Sequence, residues 1–184
     1  MTDNREYRTF YGVYLDDWSK TWGTLANNHF FLVTDYFPVD VSTVSSTGWG
    51  STTTIFLYQQ NIKKKYIIEG VAYGQLTFCA PASNSFVSDY RVTLMQINSS
   101  GSNTEIASTG VITINDSITT AIYSIVYPFW ITIYDSPKEM GENDLLGLKV
   151  QWNVVGGSGV TAKLSHWNDN QYEDLKITIP IIRE

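Results

Sequence analysis

The sequence is poor in the residues that carry most enzyme chemistry. It has one cysteine and two histidines among 184 residues, and only 16% of its side chains are charged. A single Cys79 excludes an internal disulfide, a cysteine-based zinc site and a CxxC redox pair. It sits in Leu76-Thr77-Phe78-Cys79-Ala80, where a free thiol is expected to behave as a small buried hydrophobe. His29 and His166 are far apart in the sequence and have no acidic residues at ligand spacing. They therefore suggest strand-end side chains rather than zinc ligands. No GxSxG elbow, SxxK or HExxH occurs, so no hydrolytic constellation can be assembled from motifs.

Positive charge is scarce too. Twelve basic against 18 acidic residues leave a net charge of −6, which disfavours nucleic acid as a partner, since phosphate contacts need clustered Lys and Arg. The only basic run, Lys63-Lys64-Lys65, precedes Tyr66-Ile67-Ile68 and reads as the solvated end of a strand. No apolar run is long enough to cross a membrane as a helix. The polar start, Met1-Thr2-Asp3-Asn4-Arg5-Glu6, shows no secretory signal, and the expectation is a protein made in the host cytoplasm. No cofactor is implied.

Hydroxyls and aromatics fill the gap. There are 20 Thr and 17 Ser, and aromatic residues reach 14% with six Trp and 12 Tyr. Helical stripes are missing, while runs rich in β-branched and aromatic residues recur. They span 29–33, 52–59, 65–73, 75–80, 90–97, 110–114, 120–134, 145–154, 160–166 and 175–182. Ser99-Ser100-Gly101-Ser102-Asn103 reads as a hairpin loop, as does Gly156-Gly157-Ser158-Gly159. Pro128 predicts a break or bulge within 120–134, and Ser136 to Asn143 reads as an exposed loop. About ten short strands without an internal repeat point to an all-β, two-sheet antiparallel sandwich, with a jelly roll preferred. Residues 26–184 form this domain, and residues 1–25 read as an N-terminal arm that docks on a neighbour or on the sandwich.

The second half resembles the closing strands of jelly-roll domains in viral structural proteins. The residues that carry the resemblance run from Gly141 through Asp144-Leu145-Leu146-Gly147-Leu148-Lys149-Val150-Gln151-Trp152-Asn153-Val154, across the Gly-rich turn, to Gly159-Val160-Thr161-Ala162-Lys163-Leu164-Ser165-His166. Capsid, capsid-decoration and tail or fibre proteins of bacteriophages and archaeal viruses carry such segments. The resemblance spans residues 120 to 182, is one of strand and turn cadence, and implies a role in a symmetric assembly with no catalytic residues to transfer.

Three groups of residues are candidates for contact or binding. Tyr7, Phe10, Tyr11, Tyr14, Trp18 and Trp22 give the arm anchors for a subunit interface. Trp49 and the run Trp167-Asn168-Asp169-Asn170 lie in loops, where an indole is either an interface anchor or a stacking platform for sugar. Trp130 and Trp152 fall in strands and are expected in the core. Asp169 with Glu173 and Asp174 is a calcium candidate, and Glu139, Glu142 and Asp144 form a second acidic loop. Neither has EF-hand spacing, so each reads first as a solubilising loop. Glu69, Asp89, Glu105, Asp135 and Glu173 would be the carboxylates of a glycoside hydrolase, a reaction that demands two of them in one cleft. The reading is a non-enzymatic viral structural protein, located in the virion. Its partners are itself, as a trimer or larger assembly, and other virion proteins. A carbohydrate-binding sandwich, on a tail or receptor-binding device, is the alternative.

Overall fold

The computed structural model describes residues 4–14, 30–34, 52–58, 65–79, 86–114, 125–155, 163–165 and 175–183. These hold strands β1 (Arg5–Tyr14), β2 (Phe30–Val33), β3 (Thr52–Tyr58), β4 (Tyr66–Cys79), β5 (Phe86–Ile97) and β6 (Asn103–Ser108). They continue with β7 (Ile112–Thr113), β8 (Ile125–Met140), β9 (Leu145–Val155), β10 (Lys163–Ser165) and β11 (Lys176–Arg183), and include no helix.

Two antiparallel layers pack as a sandwich. One runs β8-β4-β11-β1, with β10 beside the end of β4; the other runs β3-β9-β5, with β6 and β7 beside β5. Between them β2 pairs antiparallel with β1 and parallel with β3, so one hydrogen-bonded path passes from layer to layer. Each layer draws strands from both halves of the chain, as crossing connections rather than a meander produce.

Period two builds the core. Along β8, Tyr127, Phe129, Ile131 and Ile133 are buried while Val126, Pro128, Trp130, Thr132 and Tyr134 face out. Ile68, Ala72, Leu76 and Phe78 of β4 and Ile177, Ile179 and Ile181 of β11 complete that inner face. Leu146, Leu148, Val150 and Trp152 of β9, with Tyr90, Val92 and Leu94 of β5, cover it from the other layer. An aromatic cluster ties the layers together. The Phe78 ring lies 5.7 Å from Trp152, 5.8 Å from Tyr90 and 5.9 Å from Tyr127. Trp152 thus sits in the core as its strand pattern predicts.

Of residues 1–25, read as an arm that docks on a neighbour or on the sandwich, Arg5–Tyr14 is a strand paired with both β11 and β2 of the sandwich. Several expectations about single residues are corrected. Phe10 is 1% exposed in the core, because alternation turns it inward, and it is unavailable as an anchor for a neighbour. β4 runs unbroken through Gly74. A Cβ there would meet the Lys176 carbonyl oxygen and stand 2.6 Å from the Phe129 ring, so the glycine is needed for the close approach of β11 rather than for a turn. β8 continues past Pro128 to Met140, so Ser136 to Met140 belongs to a strand. Proline is tolerated because, among the described residues, β8 pairs with β4 alone and needs no donor on its other side. Gly141 to Asp144 then makes the turn into β9, with Asn143 at φ 69°. The Asp144 carboxylate accepts from the Gly141 N–H at 2.7 Å and from Gln96, so this member of the acidic loop closes a turn.

Candidate interaction surface

The outer face of the β8-β4-β11-β1 layer gathers the large exposed side chains. Trp130 is 67% exposed, Tyr7 54%, and Tyr73 and Tyr134 53% each. Register sets their arrangement. Trp130 stands opposite Tyr73, Tyr73 opposite Thr178, and Thr178 opposite Thr9, a row across all four strands. Tyr7 lies two pairs further along β1, on the same face and opposite Pro180, and its ring leans to within 6.5 Å of the Tyr73 ring at 42°. Under the rings the Thr9 and Thr178 hydroxyls are 2.9 Å apart and bonded. The face is firmly held: Tyr73 precedes Gly74, whose missing side chain lets β4 and β11 close up.

This corrects the expectation that Trp130 is core. The pattern Val126-Tyr127-Pro128-Phe129-Trp130-Ile131-Thr132-Ile133-Tyr134 has two apolar faces. Only the Pro and Thr on the Trp130 side mark it as the solvent face. Of the arm anchors, Tyr7 joins this exposed face, Tyr11 is half-buried on β1, and Tyr14 lies at the end of that strand. Trp18, Trp22, Trp49, Trp167, Asn168, Asp169, Asn170, Glu173 and Asp174 lie outside the described residues, as do His29 and His166.

Five of the described carboxylates, on Glu6, Asp89, Glu105, Glu139 and Asp144, are engaged in hydrogen bonds or ion pairs. Asp89 accepts from the Ser88 hydroxyl at 2.7 Å and from the Asn153 amide at 2.5 Å. Glu105 pairs with Arg91 at 2.9 Å, and Arg91 also donates to the Ser108 hydroxyl. Glu6 lies between Arg8 and Arg183, at 3.0 and 2.9 Å. Lys65 bonds Glu139 at 3.0 Å, which closes the strand end that the basic run predicts. No group of three or more His, Cys, Asp or Glu among the described residues is arranged to hold a metal ion. Burial pushes the Tyr90 phenol above its ordinary value of 10.0. Its hydroxyl donates to the Pro128 carbonyl at 3.3 Å.

No family model and no curated protein matches the chain. Solved structures do. A CocE/NonD family hydrolase from Staphylococcus aureus is 12% identical with a TM-score of 0.50, over 98% of this chain and 36% of that one. An aminopeptidase from a marine sediment Thaumarchaeota archaeon is 11% identical, also at 0.50, over 97% and 35%. That likeness is one of fold. The chain spans about a third of the length of these two hydrolases. A structure of infectious bursal disease virus aligns at 12% identity over 98% of this chain and 57% of that one, with a TM-score of 0.34.

Proposed function

We propose that the chain is a non-enzymatic structural subunit, a jelly roll that works by contact in a trimer or larger assembly, with the virion as its setting. The jelly-roll reading is supported by the strand order. Setting β2, β7 and β10 aside leaves eight strands, and lettering them A to H in chain order gives layers A-H-C-F and B-G-D-E. This alternation is the one expected of two Greek keys, and it supports the jelly-roll reading. Jelly rolls occur in viral capsids and in lectins alike, so fold does not choose between them.

The observation that carries the assembly reading is the exposed row of Trp130, Tyr73 and Tyr7 on a sheet face. Trp and Tyr are the residues that anchor subunit contacts, where each buries a large area at small entropic cost. Most monomers keep such contiguous surface to a few hundred Å². The viral setting is supported by the cadence of residues 120 to 182. Analytical ultracentrifugation with electron microscopy of the purified chain tests this. Regular closed particles or rings are expected, and a chain that sediments as a monomer at every concentration contradicts it. The sugar-binding reading is favoured by the same rings, since an open aromatic face also stacks against a pyranose. It predicts a glycan that protects Trp130 fluorescence from an external quencher.

A further inference from the structure

We infer that the Trp130–Tyr73–Tyr7 face is where a second copy of this chain docks, layer against layer about a twofold axis. The inference rests on the assembly reading and names its contact. Two observations select a second copy as the occupant. The first is charge. The row Trp130, Tyr73, Thr178 and Thr9 carries none, and Arg5 and Lys176 lie on β1 and β11 at opposite margins, opposite Ile182 and Tyr11. A neutral centre can meet its own image without like charges facing each other, whereas a charged partner would find nothing to pair with there.

The second observation is area. Where β8, β4, β11 and β1 run side by side, over the stretch from Lys176 to Ile182 of β11, four strands about 4.8 Å apart and about 3.3 Å per residue make a face of about 19 by 23 Å. That is on the order of 400 Å² in plan, and β4 and β8, which continue beyond it at both ends, extend it toward the roughly 800 Å² per partner of a stable complex. A twofold contact presents the same patch twice, so Trp130 of each copy is set against the aromatic row of the other. Such a contact is apolar at its centre, and it tightens with salt as the net repulsion between two acidic copies is screened.

Light scattering on the wild type and on Trp130→Thr/Tyr73→Thr tests it. Threonine keeps strand preference and side-chain exposure, and coincident urea transitions establish that the variant is folded. The expected result is an assembled wild type and a double variant whose dissociation midpoint rises at least about tenfold in concentration. Val111→Thr, exposed elsewhere at 69%, should leave the midpoint unchanged. An assembled double variant with the wild-type midpoint overturns this contact while leaving the assembly reading standing. A wild type that is monomeric, whether or not it binds a glycan array through Trp130, overturns both.

Discussion

At the residue scale, Tyr90 shows how burial is written into pH dependence. Its ring packs in the cluster of Phe78, Tyr127 and Trp152, and desolvation raises its pKa above 10.0. The unfolded chain therefore loses this proton first as pH rises. Between the unfolded and the folded pKa the native state holds more proton, so stability is level below about pH 10 and falls above it. Urea midpoints measured at pH 8 and at about pH 11 should drop for the wild type and drop less for Tyr90→Phe. That variant leaves the Pro128 carbonyl without its donor, so it starts about 0.5–1.5 kcal/mol less stable at neutral pH. Equal drops for the two proteins would remove Tyr90 as the cause.

The same scale shows what the sequence conceals. Trp152 was legible as core because Lys149, Gln151 and Asn153 beside it are polar, so only one face of β9 reads as apolar there. Trp130 was not, because both faces of β8 are apolar and a Trp on the solvent side looks like a Trp on the core side. Phe10 was misplaced for the converse reason. Arg5, Glu6 and Arg8 suggest a solvated segment, yet Glu6 is held by Arg8 and Arg183 at the strand end while Phe10 four residues on fills the core.

At the scale of the element, glycine decides where strands bend and where they touch. Gly74 and Gly110 separate the two effects. A methyl at Gly74 would collide with the Lys176 carbonyl and the Phe129 ring, and neither backbone nor core ring can give way easily. Gly110, between β6 and β7 at φ 73°, has open space around it, so a methyl there meets only backbone strain. Gly74→Ala should therefore cost about 3 kcal/mol and Gly110→Ala about 1 kcal/mol, read from chemical denaturation. Equal or reversed costs would mean that β4 and β11 approach less closely than described. Most strands were legible from β-branched runs and turn residues, including the β5–β6 hairpin, where the Asn98 side chain accepts from the Ser100 and Ser102 N–H groups at 3.1 and 2.9 Å. β1 and β6 were missed because charged and polar residues interrupt their apolar face. Pro128 reads as a break or bulge because a sequence does not say which strand lies at an edge.

At the scale of the molecule, two layers are joined by a core of aromatic and aliphatic side chains, and one layer keeps a second apolar face in solvent. Composition had already shown aromatics in excess, and alternation had shown a sandwich. Strand order was not legible, because it depends on pairings such as β1 with β11 that lie at opposite ends of the sequence. The face that results from this order follows from register, which brings Tyr7, Tyr73 and Trp130 together from three separate strands. A fold that leaves such a face exposed is expected to cover it with a partner.

The mass of the chain in solution, by light scattering after size exclusion over a concentration series and at two salt concentrations, tests that expectation most directly. An even number of copies above two of the 20.8 kDa chain, held more tightly at higher salt, is the predicted result. A bare dimer would keep the aromatic contact and remove the larger assembly. A mass of 20.8 kDa at every concentration and salt would contradict the assembly reading and the contact together.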